Sequence, residues 1–341
     1  MAKPAIRAVT DQKIWEDFVS TQPEANFLHS WLWGVFHKRL GKDIVRYGAY
    51  KNGQLVGVVQ AIVEPARRGK HVVVVGGPLI DWQDQGVVTE IMSALREFTK
   101  RQGCIFIRMR PQLLDTPAHR QLFHKLGFRK APMHVTADLT SQLDVSKPDD
   151  ELRRMMRKGT RYEINRAAKL GIKVEAATDD RFLKEFCDLQ MATARRQKFV
   201  PFSEKFLSEQ FRTFAEAGKV IMYRASLDGD LLAMAFIIFY GQEAAYHYGA
   251  STDLARKIPG AYAIQWEAIQ EARRRDCQRY NFWGVAEHGA TKHRFYGVSV
   301  FKRGFGGQDV AYLPAHDLKV QPFKYVFTYF FETLRRKLRH L

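Results

Sequence analysis

The sequence predicts an α/β (mixed α+β) protein built from two related domains in tandem. Three observations carry that expectation. One segment occurs twice: Tyr47-Gly-Ala-Tyr-Lys-Asn-Gly-Gln-Leu-Val reads like Tyr223-Arg-Ala-Ser-Leu-Asp-Gly-Asp-Leu-Leu. Tyr47 falls over Tyr223, Ala49 over Ala225, Gly53 over Gly229 and Leu55 over Leu231. Each copy is a strand, a tight turn and a second strand, because Asn-Gly and Asp-Gly suit a two-residue hairpin whose turn positions need positive φ. The length of 341 residues suits two domains of ordinary size. A hydrophobic content of 46% is enough to give each of them a core.

In chain order, residues 12–20 and 30–40 read as short helices around Phe27-Leu28-His29-Ser30, with Ser30 as an N-cap. The first hairpin follows at about 44–63. His71 to Ile80 is a buried strand ending in a Gly-Gly-Pro turn. Residues 84–102 form a helix with Val87, Val88, Ile91, Leu95 and Phe98 on one face. A strand from Cys104 to Pro111, a helix at 117–126 and a strand at about 133–139 complete the first unit. The boundary falls near Ser146, giving domains of 1–146 plus about 320–341, and 147–319. Asp149 or Asp150 caps a helix running to Leu170 and ending at Gly171. The scheme then repeats: a strand at 172–176, helices at 179–197 and 203–217, strands at 219–226, 231–240 and 243–250, a helix at 260–275 and a strand at 279–283. The aromatic, basic segment from Phe323 to Leu341 is expected to be a helix packing back on the first domain. A mixed sheet with a long hairpin, then a glycine-containing loop, a helix and another strand resembles the acetyltransferase (GNAT) fold, here present twice.

Lys plus Arg number 54 against 36 Asp plus Glu, a net charge of +18. That balance favours a polyanionic partner: nucleic acid, an anionic membrane or a phosphorylated substrate. Cys104, Cys187 and Cys277 are far apart and form no Cys-x-x-Cys pair. A disulfide framework and a zinc site are not expected, and a reducing cytoplasm is. No apolar run reaches the roughly 20 residues needed to span a bilayer, and the first residues lack the apolar stretch of a signal peptide. Contact with a membrane would be from its inner surface.

Four segments could carry chemistry. Arg153, Arg157 and Arg161 recur every four residues on the expected 149–170 helix, with Arg154 and Lys158 beside them. Such a stripe suits phosphates along RNA or a pyrophosphate; the alternative is a solvated linker helix. Arg256-Lys257-Ile258-Pro259-Gly260 precedes a helix, where a pyrophosphate could sit on free N–H groups; Pro-Gly is also ordinary punctuation. Phe301-Lys302-Arg303-Gly304-Phe305-Gly306-Gly307 sets aromatic and basic residues among glycines, for base stacking and oxyanion contact, or forms a strand with a glycine bulge. Arg196, within Thr193-Ala-Arg-Arg-Gln-Lys-Phe199, is a carboxylate or phosphate clamp that could share a pocket with Tyr246 and Tyr248. There is no Walker loop, Gly-x-Ser-x-Gly or His-Glu-x-x-His, and the histidines are scattered.

Taken together and in order, these motifs resemble the FemABX aminoacyltransferases that build peptidoglycan cross-bridges. The likeness runs through Phe27-Leu-His-Ser-Trp-Leu-Trp-Gly, Lys158-Gly-Thr-Arg-Tyr-Glu-Ile-Asn-Arg, Thr193 to Phe199, Tyr246-His-Tyr-Gly-Ala-Ser, Pro259-Gly-Ala-Tyr and Phe301-Lys-Arg-Gly-Phe. The resemblance implies two GNAT-like domains in the compact form that lacks a coiled-coil insertion. It implies transfer of an amino acid from aminoacyl-tRNA, a co-substrate in place of any cofactor, to an amine of a UDP-linked or lipid-linked peptidoglycan precursor. The family's phosphate-binding lysine falls at Lys38 or beside it, at His37. Its helix arginine falls at Arg196, its pocket tyrosine at Tyr246 or Tyr248, and its Phe-Lys pair near the tRNA end at Phe301 and Lys302. Phe199 stands where a second pocket tyrosine is expected. On this reading Lys302 meets the ester or terminal ribose and Phe301 stacks on the terminal adenosine. Arg153, Arg157, Lys158, Arg161, Arg256 and Lys257 meet the tRNA, and no general base is evident. Two alternatives are an acyl-coenzyme A N-acyltransferase and a non-catalytic RNA- or membrane-binding protein.

Overall fold

The computed structural model describes residues 3–66, 69–197 and 200–338. The chain divides into two compact units, Met1–Asp138 with Ala311–Leu341, and Leu139–Val310. The first unit contains β1 (Ala5–Ala8), α1 (Gln12–Ser20), α2 (Trp31–Arg39), β2 (Ile44–Lys51), β3 (Gln54–Glu64), β4 (His71–Gly76), β5 (Leu79–Ile80), α3 (Gln85–Arg101), β6 (Phe106–Pro111), α4 (Pro117–Lys125) and β7 (Arg129–Lys130). The second contains β8 (Leu139–Asp144), α5 (Asp149–Met155), α6 (Lys158–Lys169), β9 (Lys173–Ala177), α7 (Leu183–Gln197), α8 (Glu204–Ala215), β10 (Val220–Leu227), β11 (Asp230–Tyr240), β12 (Glu243–Ser251), α9 (Gly260–Arg274), β13 (Arg279–Gly284), α10 (Tyr296–Arg303) and β14 (Gln308–Ala311). The chain then returns to the first unit as β15 (His316–Lys319) and α11 (Pro322–Leu338).

The two sheets have the same plan. One runs β1-β2-β3-β4-β6-β15-β7, with β5 on β3; the other, read in the same sense, runs β9-β10-β11-β12-β13-β8-β14. The repeated segments are the hairpins β2–β3 and β10–β11. Asn52 and Gly53 sit at φ 49 and 80, Asp228 and Gly229 at φ 51 and 91, as the turn chemistry requires. A β-bulge falls at the same point of each copy, between Ala49 and Tyr50 and between Ala225 and Ser226. Each sheet is covered on one face by a helix between its parallel strands. Val88, Ile91 and Leu95 of α3 pack over Val59, Val72 and Ile107. Ile264, Ala268 and Ala272 of α9 pack over Ala235, Ile237 and Phe282. Each fully buried valine, leucine or isoleucine among them contributes roughly 1.5–3 kcal/mol.

Two sequence expectations fail. The strand expected at 133–139 to finish the first unit lies at Leu139–Asp144 and pairs with β13, so the second unit starts near 139 rather than 147. Correspondingly β15 pairs with β6 and β7, so the chain rejoins the first unit from 311 rather than about 320. A buried ion pair fixes that return: Arg108 of β6 donates to both carboxylate oxygens of Asp317 at 2.8 Å. The second failure is the 149–170 helix, which is broken. Met156 and Arg157 have ψ of 145° and 143°, ending α5 and starting α6. Arg161 donates to the main-chain oxygens of Arg153, at 3.2 Å, and Met156, and so caps α5. Arg153, Arg157 and Arg161 therefore share no single helical face.

Candidate active site

The second unit has an opening in its sheet. β12 and β13 are parallel and pair from Glu243↔Arg279 to Ala245↔Asn281, and no further. Two local features separate them. β12 bulges at His247, because Ile237 pairs with Tyr246 while the adjacent Phe236 pairs with Tyr248. β13 turns at Trp283, which has φ 64 and whose N–H donates to the Asn281 side chain at 2.8 Å. The carboxyl ends of two parallel strands thus diverge, the usual place for a ligand in a sheet of this kind.

Lys302 enters this gap from α10. Its ammonium donates to the Gly284 carbonyl at 2.8 Å and stands 5.5 Å from the centre of the Tyr246 ring. A carbonyl and a ring face replace bulk water poorly, and burial pushes the Lys302 pKa down to about 7. Burial likewise pushes the Tyr246 phenol up to about 12, so it remains a hydroxyl. That hydroxyl lies against Gly249, where an added Cβ would come within 1.8 Å of it. A glycine is required there for Tyr246 to take up its position.

The bulge also separates two residues that the sequence pattern placed together. Tyr246 faces the core beneath α9. Tyr248 faces the opposite side of the sheet, 5.6 Å from Phe236 and 5.6 Å from Phe202. Tyr246, not Tyr248, accompanies Lys302. Arg196 braces the far end of β12 from α7. Its Nη2 donates to the Ser251 carbonyl at 2.5 Å, and its Nη1 is 3.3 Å from Asp253. Its Nε is buried without a hydrogen-bond partner among the described residues. Phe199 lies outside the described residues.

Phe301 does not stand free as a base-stacking platform. Its ring is half-buried, 4.9 Å from Tyr262 and 5.4 Å from Phe305. The 301–303 stretch is helical and ends at Gly304, rather than forming a bulged strand. Among the cations expected at tRNA, Arg157, Lys158, Arg256 and Lys257 are exposed. Arg153 instead lies 4.4 Å over the Trp266 ring, and Arg161 is occupied by its capping bonds. In the first unit, Lys38 is exposed at the end of α2. Its neighbour His37 is buried between Trp33 and Phe36, ring centres 4.8 and 4.6 Å away, and burial pushes its pKa to about 3. Lys38 is therefore the residue of that pair able to meet a phosphate. Sequence reasoning missed Trp283 and His247, whose rings are 5.5 Å apart at the opening. Strand alternation carries no sign of a bulge or of a positive φ at tryptophan.

Two sheets of one plan, the second parted within its parallel pair, define the class: a tandem GNAT-type acyltransferase fold. The structure of a tandem GNAT protein from the clavulanic acid biosynthesis pathway matches with a TM-score of 0.60 at 12% identity, over 93% of this chain and 98% of that one. The crystal structure of FemX matches with a TM-score of 0.84 at 18% identity, over 95% and 100%. The model of the FemAB family matches residues 10–125, 122–231 and 225–333, and the chain belongs to that family. Its relatives include Lipid II:glycine glycyltransferases of Staphylococcus epidermidis, 22% identical over 87% of this chain and 88% of theirs, and of Staphylococcus aureus strain MRSA252, 20% identical over 87% and 89%.

Proposed function

We propose that the protein transfers an amino acid from aminoacyl-tRNA to an amine on the stem peptide of a lipid-linked peptidoglycan precursor, at the inner face of the membrane. Membership of the FemAB family and relatives named for glycyl transfer to lipid II support the reaction class. The observation that carries the chemistry is the buried Lys302 in the split between β12 and β13. The aminoacyl ester is already activated, so the site must orient an amine, accept its proton and stabilise the tetrahedral oxyanion. The acceptor nitrogen attacks the ester carbonyl, the bond to the ribose oxygen breaks, and an amide forms. A lysine of pKa about 7 is half neutral at neutral pH, the condition under which a general base works best. Lys302 takes the proton from the attacking nitrogen and returns it to the leaving ribose oxygen. The Tyr246 hydroxyl donates to the developing oxyanion. Exposed Arg157, Lys158, Arg256 and Lys257 hold the tRNA backbone, and exposed Lys38 holds a precursor phosphate, while Arg196 keeps the end of β12 in place.

The test is single-turnover transfer from a panel of aminoacyl-tRNAs to lipid-linked and nucleotide-linked acceptors, followed by mass spectrometry. Transfer that is abolished by ribonuclease and depends on Lys302 supports the reading. Acyl transfer from acetyl-coenzyme A that survives ribonuclease sinks it.

A further inference from the structure

Helix α11 carries an apolar face that nothing in its own unit covers. Phe323, Val326, Phe327, Phe330, Phe331 and Leu334 are all exposed, Phe323 at 87% and Phe327 at 70%. At about 100° per residue they occupy one arc of roughly 140° along the helix. The opposite face is firmly seated. The Tyr325 hydroxyl donates to Asp317 at 3.0 Å, and its ring meets Phe106 at 5.3 Å. The Arg129 guanidinium lies 3.8 Å over Tyr329. The one acid of α11, Glu332, points inward and is held by Arg108 at 2.6 Å. Exposed Lys324 and the partly buried Arg335 lie together along one edge of the apolar arc. The outward side of the helix is therefore aromatic and aliphatic, with one basic edge at Lys324 and Arg335 and no acid.

We propose that α11 is an interfacial membrane-binding helix, lying flat on an anionic bilayer with its phenylalanines in the acyl boundary. Charge selects this occupant. A second copy would bring the same basic edge, on a chain of net charge +18, against itself, whereas an anionic leaflet attracts it. The helix lies on the surface and does not cross: among the described residues no helix is long and apolar enough to span a membrane. The inference deepens the proposed function, resting on it only for the purpose of the contact, which is to hold the enzyme where a lipid-linked acceptor resides.

The test uses the full chain and vesicles free of any precursor. The wild-type protein is expected to sediment with vesicles of phosphatidylcholine containing a third phosphatidylglycerol, and at least tenfold less with phosphatidylcholine alone. Phe327→Ser with Phe330→Ser should lower binding to the anionic vesicles by on the order of tenfold or more. Circular dichroism should stay unchanged, since both side chains are exposed. Lys324→Glu, which removes no apolar surface, should weaken binding to anionic vesicles only. Wild-type protein that ignores anionic vesicles overturns the inference. So does a serine variant that binds as well as wild type, or a dimer in solution that the serine variant dissolves. Transfer to a water-soluble acceptor separates the two proposals. If it persists without vesicle binding, the helix reading alone fails; vesicle binding without transfer to any acceptor overturns only the proposed reaction.

Discussion

The two parallel strand pairs of this chain occupy the same place in two sheets of one plan, yet one is closed and the other open. In the first unit, β4 and β6 pair without interruption from Val72↔Ile107 to Gly76↔Pro111. In the second, β12 and β13 part after Ala245↔Asn281. The closed pair is lined by Val72, Val74, Ile107 and Met109, all fully buried. The open pair instead has a bulge at His247, a turn at Trp283 and a lysine in the gap. The two copies share one scaffold, and the copy whose parallel strands part holds a buried lysine in the gap. The other copy keeps its hydrogen bonds and its apolar contacts.

The largest effect expected is at Lys302. Lys302→Ala should slow the single-turnover rate by on the order of 10²–10⁴-fold. Lys302→Arg should be nearly as slow, because an arginine cannot shed its proton; an active arginine variant would show that charge alone is what matters. The wild-type rate should climb with pH to about 7 and then level, since the neutral amine is the working form. The same burial predicts a cost in stability. The folded pKa lies below the ordinary 10.5, so the unfolded chain binds the extra proton between about 7 and 10.5 and stability rises with pH through that window. Lys302→Met should thus be inactive but melt roughly 2–4 °C higher at pH 7.

Gly249→Ala comes next. Its Cβ would displace the Tyr246 hydroxyl, with an expected rate loss of about tenfold or more and destabilisation of about 1–3 kcal/mol, measured by denaturant titration. In the closed pair the contrast should reverse. Val74→Ala removes buried methyl groups and should cost about 1–3 kcal/mol with the turnover of the folded enzyme unchanged. A change in turnover there would show that the closed pair also takes part in the reaction.

How much of this was legible in the sequence depended on the range of the cause. The repeated hairpins were legible because Asn-Gly and Asp-Gly satisfy a local demand for positive φ. The buried face of α3 was legible from its spacing. The family resemblance brought Lys302 and Tyr246 into view, but not their geometry. The break at Met156–Arg157 carries no proline, and it is held by bonds from Arg161 and by the Gly304 carbonyl, which accepts from the Arg157 N–H at 2.9 Å. The opposite faces of Tyr246 and Tyr248 depend on the one extra residue of the bulge, His247, which reverses the alternation that strand reading relies on. The change of partner by β8 and β15 was hidden as well, because two short half-polar strands state no preference for one sheet over another.

The exchange of β8 and β15 has a consequence for the order of assembly. The second unit is one uninterrupted stretch, whereas the first must wait for a strand encoded 209 residues after Arg108. A chain emerging from the ribosome therefore carries β6 with a bare edge, and an arginine lacking its carboxylate, throughout the synthesis of everything between. The half that is translated first is the half that is finished last. Until then it is the natural client of a chaperone, while the intervening half can already have closed around its core.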